Sequence, residues 1–322
     1  MQAWTARRYG APDTLALEDL PQPKLGKGEL LIRVHATTVN SGDVRMRGCD
    51  FPPEMRIMGR LALGWKGPRQ PVLGTELSGV VEAIGEGVTR FRPGDAVFAF
   101  SGMKMAAHAQ FAVAKAAMTQ PLPAGPDFAQ AAALCFGGTT ALHYLRKAEL
   151  KSGQSILVLG GSSCVGLALI QLARQQGAEV AATTSARNID LVTEKGAHHV
   201  IDYTATNLAD LPQRFDIIAD AVAATDFAAA QKLLKPNGRY LAIAGTLKEM
   251  LGAMRKGVNG TRMIAGPAGE LPEDIATLAR LAEVGHYRPH IDQTFAWADL
   301  PKAHAYVETG RKRGSVVVNV AE

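Results

Sequence analysis

The chain has 322 residues, 47% of them hydrophobic and 20% charged, with a formal net charge of +5. This composition fits a soluble folded protein and excludes a disordered one, and the length suits two domains rather than one core. The charge is mild and no aromatic residues are interleaved with it, so neither an RNA nor a DNA binder is expected.

The opening MQAWTARRYGAPD has no apolar h-region, so no secretory signal is expected. Leu30 to Thr38 partly alternates apolar and polar residues after a turn at Gly26 to Gly28, and reads as a strand. Phe51 to Pro71 is rich in Pro, Met and Arg, and reads as a long loop or short irregular helices. Within it Met55, Met58 and Trp65 suit either an apolar substrate mouth or plain packing. Leu77 to Ile84 and Ala96 to Phe100 are further strands, the second introduced by the turn Pro93-Gly94-Asp95.

From about Pro126 the pattern changes. Ala129 to Leu134 and Thr140 to Lys147 read as helices, and strand–helix units then alternate. Strands are expected at Ser155 to Leu159, Val180 to Thr184, His199 to Asp202, Phe215 to Ala221 and Arg239 to Ala244. Helices are expected at Val165 to Gln176, Asn188 to Lys195 and Phe227 to Leu234. Such alternation means a parallel sheet covered on both faces. After about Tyr287 a strand–helix–strand tail ends in SVVVNV. No charged residue occurs from Ser152 to Ala173, but the interruption at Gly160, Gly161, Ser162 and Ser163 argues against a membrane span. No membrane partner is expected.

The three cysteines, Cys49, Cys135 and Cys164, form no CxxC pair, which excludes a four-cysteine zinc lobe and suits a reducing cytoplasm. Basic clusters such as Arg45 to Arg47 and Arg311 to Arg313 read as a solvated face. Attraction of a polyanionic cofactor is the alternative reading.

SILVLGGSSCVGLALIQLA runs from an apolar strand through a small-residue turn into a helix starting near Cys164. Such a helix N-terminus offers unpaired amides to a pyrophosphate. Gly160, Gly161, Ser162, Ser163, Cys164 and Val165 are therefore candidate cofactor residues, although Ser163 replaces the middle glycine of GxGxxG. An NAD-binding loop usually has an acid about 20 residues on. The segment TTSARN has none, and offers Thr184, Ser185 and Arg187 instead. These suit a 2′-phosphate, so NADPH is expected rather than NADH.

The stretches LIRVHATTVNSGDVRMRG, PVLGTELSGVVEAIGEGVTRFRPGDAVFAF, GGSSCVG, SARNIDLVTEKGAHHVIDYT and ETGRKRGSVVVN together resemble the medium-chain dehydrogenase/reductase superfamily, most nearly its zinc-free quinone oxidoreductase branch. The resemblance covers nearly the whole chain. It implies a Rossmann doubly wound parallel sheet at 126–287 and a GroES-like, mainly-β substrate domain at 1–125 and 288–322, with nicotinamide in a cleft. It also implies a homo-oligomer, with a dimer favoured. By the same resemblance, Thr140 contacts the nicotinamide-side ribose or phosphate, or else caps a helix. Tyr203 lies near the adenosine phosphate, Ala221, Val222 and Ala223 near the ribose, and Ile243, Ala244 and Gly245 near the nicotinamide.

Zinc members carry cysteine where this chain has Asn40 and histidine where it has Thr75, and a third ligand falls at Ala132 or at nearby Cys135. Asn and Thr are poor zinc ligands, so no metal is expected. His198 and His199 point opposite ways in a strand and read as ordinary strand residues. Without a metal or a Tyr-x-x-x-Lys pair, the chemistry suits an acceptor that spreads incoming negative charge itself. The expectation is an NADPH-dependent reductase of quinones or α,β-unsaturated carbonyl compounds. Asn40 serves there as the polar group beside the acceptor, or as a structural amide at a strand end. Asp43 and Arg45 are expected to form a supporting ion pair, and Glu76 to be structural. Two alternatives stand beside this reading. One is an enoyl-thioester reductase using Arg45, Arg47 or Arg56 for a carrier phosphate. The other is an NADPH-binding sensor or scaffold without turnover.

Overall fold

A computed structural model describes residues 1–50, 53–245, 247–253 and 257–321. It divides into two compact units, Met1–Phe136 with Glu270–Glu322, and Gly137–Gly269. In chain order the elements are β1 (Gln2–Thr5), β2 (Ala16–Asp19), β3 (Glu29–Val39), α1 (Ser41–Gly48), α2 (Pro53–Leu63), β4 (Glu76–Ile84), β5 (Ala96–Phe100), β6 (Phe111–Lys115), β7 (Thr119–Pro121), α3 (Phe128–Ala132) and α4 (Cys135–Lys147). Then follow β8 (Ser155–Leu159), α5 (Cys164–Gln175), β9 (Glu179–Thr184), α6 (Ile189–Glu194), β10 (His199–Asp202), β11 (Phe215–Asp220), α7 (Phe227–Gln231), β12 (Leu234–Ala242), α8 (Leu247–Gly252) and β13 (Arg262–Ala265). The chain closes with α9 (Pro272–Glu283), β14 (Ile291–Ala296), α10 (Leu300–Glu308) and β15 (Ser315–Asn319).

The first unit is built on β3. Its N-terminal half pairs with β6, its C-terminal half with β15, and its other edge with β4, all antiparallel. The resulting sheet runs β14-β15-β3-β4-β5-β7. Leu30, Ile32 and Val34 alternate onto one face and bury against Leu77, Val81, Phe91 and Val97. Residues 126–136 and 270–287 fall in this unit, beyond the expected boundaries, because α3 packs on β3 and β4 and α9 packs on β7.

The second unit holds a six-stranded sheet in the order β10-β9-β8-β11-β12-β13, with every pairing parallel. This is the doubly wound sheet that strand–helix alternation predicts. Its strands are near-continuous apolar runs, because both faces are covered. Val180, Ala182, Ile156 and Val158 are fully buried.

Several elements differ from the sequence reading. Residues 53–63 form one regular helix, α2, where a long loop or short irregular helices are expected, while Phe51 and Pro52 lie outside the described residues. Helix α4 starts at Cys135, so Thr140 sits inside it and caps nothing. The Pro236-Asn237-Gly238 turn is a bulge within β12, where the register jumps and Asn237 takes a left-handed φ of 61°. No helix among the described residues is long and apolar enough to cross a membrane.

The basic cluster around Arg45 is not uniformly solvated. Arg45 is exposed, but Arg47 on α1 is fully buried, donates to the Gly10 carbonyl and pairs with Glu308 of α10 at 2.9 Å. Because Glu308 is 48% exposed, it rehydrates when its partner is lost. We therefore expect Arg47→Ala to destabilise the fold by about 2–3 kcal/mol, toward the low end for breaking a buried pair. Urea unfolding checks this, and an unchanged midpoint would contradict it.

Candidate functional site

In the second unit the candidate residues collect at the C-terminal edge of the parallel sheet. Gly160 to Ser163 link β8 to α5, Ser185 to Arg187 follow β9, and Tyr203 follows β10. Residues Ala221 to Ala223 follow β11, and Ile243 to Gly245 follow β12. From β8 the strands step outward one way through β9 and β10, and from β11 the other way through β12 and β13. Ligands of open α/β sheets bind at such a reversal. Gly160 lies there with φ 78°, under the side chain of Val222. A Cβ on Gly166 would collide with the Gly160 carbonyl, so glycine lets α5 start close against the strand end.

Ser163 is the N-cap of α5. Its hydroxyl accepts from the Gly166 amide at 3.0 Å and donates to the Gly160 carbonyl at 2.8 Å. The amide of Gly161 goes to the Thr183 carbonyl, and that of Gly160 to the Thr183 hydroxyl. The cap therefore ties the loop to itself, and among the described residues the first-turn amide of Val165 is the one that suits an anion. Helix α4 packs against the start of α5, since a Cβ on Gly137 would lie 2.8 Å from Cys164 Sγ. Thr140 lies three residues further along α4. Beside the loop, Asn188 donates to Ser162 at 3.2 Å and to Ser185 at 3.3 Å. Thr184 Oγ1 and Asn188 Oδ1 are buried here without a partner among the described residues. Such atoms suit a polar ligand such as a nucleotide ribose, so these residues fit a dinucleotide.

Sequence reasoning missed Asp220, which ends β11 and is fully buried. Its carboxylate accepts from the amides of Val222, Ala224 and Thr225 at 3.0–3.1 Å, and from the Tyr240 hydroxyl at 3.1 Å. It therefore shapes the 221–225 turn. The only signal was an acid ending the apolar run FDIIAD.

In the first unit Asn40, Asp43, Thr75 and Glu76 form a buried polar cluster. Asn40 is the N-cap of α1 and forms a capping box with Asp43. Its Oδ1 accepts from the amides of Gly42 and Asp43, while its Nδ2 donates to Thr75 Oγ1 at 2.7 Å. The two positions that hold ligands in zinc relatives are thus hydrogen-bonded to each other. Asp43 does not pair with Arg45, because residues two apart on a helix do not face each other. It accepts instead from the amides of Asn40 and Gly74. Glu76 accepts from the Thr38 hydroxyl at 2.5 Å and the Phe136 amide at 2.6 Å. Cys135, the alternative third ligand, opens α4, where burial pushes its thiol well up. Ala132 has no ligating atom, and no group of three or more His, Cys, Asp or Glu gathers among the described residues. His198 accepts from the Val180 amide and His199 meets Glu179. Met58 and Trp65 are exposed, whereas the side chain of Met55 lies outside the described residues.

Two family models match the chain. Alcohol dehydrogenase GroES-like domain matches residues 26–124, and Zinc-binding dehydrogenase matches residues 195–318. A 2-methylene-furan-3-one reductase of Solanum lycopersicum is 31% identical, covering 99% of this chain and 79% of that protein. A chloroplastic NADPH-dependent alkenal/one oxidoreductase of Arabidopsis thaliana is likewise 31% identical with the same coverage. Among solved structures, the quinone oxidoreductase from Coxiella burnetii superposes with a TM-score of 0.86 at 27% identity, covering 100% of this chain and 99% of that one. The chain belongs to the quinone oxidoreductase-like branch of the medium-chain dehydrogenase/reductase superfamily. Its fold is the Rossmann sheet with a GroES-like β domain that this superfamily shares. The match described as zinc-binding contains none of Asn40, Thr75, Ala132 or Cys135, so its description carries no information about those positions.

This superfamily member carries unusual buried charge. Burial pushes Asp43 and Glu76 up to about 7, against the hydrogen bonds that favour their ionised forms. Burial pushes His108 down to about 4. The two effects have opposite signs. The carboxylates contribute stability below about pH 4 that is lost as pH rises through about 7. The histidine contributes stability that is lost as pH falls from about 6.5 toward 4. Glu76→Gln removes one carboxylate's share. We expect its stability relative to wild type to rise by on the order of 3 kcal/mol from pH 4 to 7.5. Urea titrations at several pH values measure this difference, and a flat one would refute the assignment.

Proposed function

We propose that the chain is an NADPH-dependent, zinc-independent reductase of quinones or α,β-unsaturated carbonyl compounds. The observation that carries this reading is the closed Asn40–Thr75 pair at the positions of two zinc ligands in metal-bearing relatives. The names of the Arabidopsis thaliana alkenal/one oxidoreductase and the Coxiella burnetii quinone oxidoreductase support the acceptor class. The second unit is the cofactor domain in this reading and the first is the substrate domain.

The first turn of α5 binds the pyrophosphate, with the Val165 amide and the helix dipole as its means. Ser185 and Arg187 bind the 2′-phosphate. Thr140, Tyr203, Ala221 to Ala223 and Ile243 to Gly245 line the rest of the dinucleotide site. When bound, NADPH supplies the hydride that an electron-poor carbon accepts. Asn40 spends Oδ1 on its cap and one Nδ2 hydrogen on Thr75, which leaves its second Nδ2 hydrogen. That hydrogen, with the Thr75 hydroxyl hydrogen, is a donor for the enolate or quinol oxygen. Water then supplies the proton. The reading also includes a homodimer and a cytoplasmic setting.

NADPH oxidation followed at 340 nm tests it, against a 1,2-quinone, a 1,4-quinone, an enone, an alkenal and a crotonyl thioester. Turnover is expected with quinones or enones. Tight NADPH binding without any turnover would leave a binding protein instead. Stoichiometric zinc in the purified protein would sink the metal-free reading. Arg187→Ala is expected to weaken NADPH binding roughly tenfold or more while sparing NADH, as loss of a charged hydrogen-bonding partner implies. Equal losses for both cofactors would refute the role of Arg187.

A further inference from the structure

Helix α2 presents an apolar face left exposed among the described residues. Ile57 is 67% exposed, and Met58, Leu61 and Trp65 are each 60% exposed. Ile57 and Leu61 stand one turn apart, with Met58 about 100° round the helix from Ile57. Trp65 follows just beyond the helix end. Four such residues side by side are rare on a monomer surface and mark an interaction site.

The charge around this face is one-sided. From Pro53 to Gln70 the sequence carries four basic residues, Arg56, Arg60, Lys66 and Arg69, and one acid, Glu54. Lys66 and Arg69 are exposed. Arg60 is partly buried, stacks over the Tyr9 ring and reaches the Trp65 carbonyl. Arg69 donates to the Leu61 carbonyl, which holds the segment after the helix back against it. Arg60 and Arg69 are therefore held beside the apolar face. An apolar face with a tryptophan at its end and basic residues beside it is the pattern of a helix lying in a bilayer interface.

We propose that α2 docks this protein on an anionic lipid surface, with Ile57, Met58, Leu61 and Trp65 entering the headgroup boundary and Lys66 and Arg69 meeting lipid phosphates. A second copy of the chain fits less well, because a two-fold contact would bring the same cations of both copies together. The sequence reading set membranes aside for want of a spanning segment, and a helix lying in the interface needs none. The proposal does not depend on which acceptor is reduced.

Co-sedimentation of the full chain with vesicles tests it. The vesicles are phosphatidylcholine alone, or with roughly 30% phosphatidylserine to mimic an anionic leaflet. Binding to the anionic vesicles is expected to be about 25-fold tighter, from two cations each worth about fivefold near the surface. High salt should weaken it. Leu61→Asp and Lys66→Glu should each weaken it several-fold, with far-UV circular dichroism unchanged. Brominated acyl chains should quench Trp65, a signal that Trp65→Phe removes. Equal partitioning of wild type and Leu61→Asp would overturn the proposal. So would a concentration-dependent dimer abolished by Leu61→Asp without any vesicle binding. A change only in KM for a soluble acceptor would overturn it too, and assign the face to substrate.

Discussion

Glu76 is a carboxylate with almost no access to water, and it ties the end of β3 at Thr38 to the start of α4 at Phe136, far along the chain. One oxygen takes the Thr38 hydroxyl near the end of β3, and the other takes an amide in the first turn of α4. Burying that group is expensive, and only several hydrogen bonds offset the cost. Asp43 does the same from α1, fixing the start of that helix to the turn before β4 through Gly74. The Asn40–Thr75 bond lies between them. The polar cluster is therefore rigid, because Asn40, Asp43 and Glu76 each accept from backbone amides and Asn40 holds Thr75.

That commitment changes what Asn40 is. A free amide at a cleft would be an adaptable donor. As an N-cap with both Oδ1 lone pairs engaged, it has one hydrogen left and one direction to offer it. A donor fixed in advance is worth more to a developing negative charge than a mobile one.

Much of this was legible in the sequence, for reasons that residues make plain. All of the second unit's strands but β13 could be read because parallel strands are short apolar runs, and VLGGSSCVG placed the start of α5 to within a residue. The glycine loop was legible in place but not in wiring, since nothing in the sequence says that Ser163 turns its hydroxyl inward. Short strands such as β1, β2, β6 and β7 went unread, because three to five residues give too little periodicity. Helix α2 was hidden by the Pro52-Pro53 pair at its start and by Gly59 inside it. Asp220 was hidden because its partners are amides of the turn that it shapes. Asp43 was assigned to a neighbouring arginine by proximity along the chain, where the helix geometry sends the two side chains apart.

The pairing of β15 with β3 has a consequence for how the molecule is made. Val316 to Asn319 complete the sheet begun at residues 36–39, so the first unit's central sheet stays open until residues 316–319 have been synthesised. The second unit is one contiguous segment, 137–269, and its parallel sheet is available to fold while that stretch is still being made. During this interval the C-terminal edge of β3 is an unpaired strand, open to pairing with a neighbouring chain.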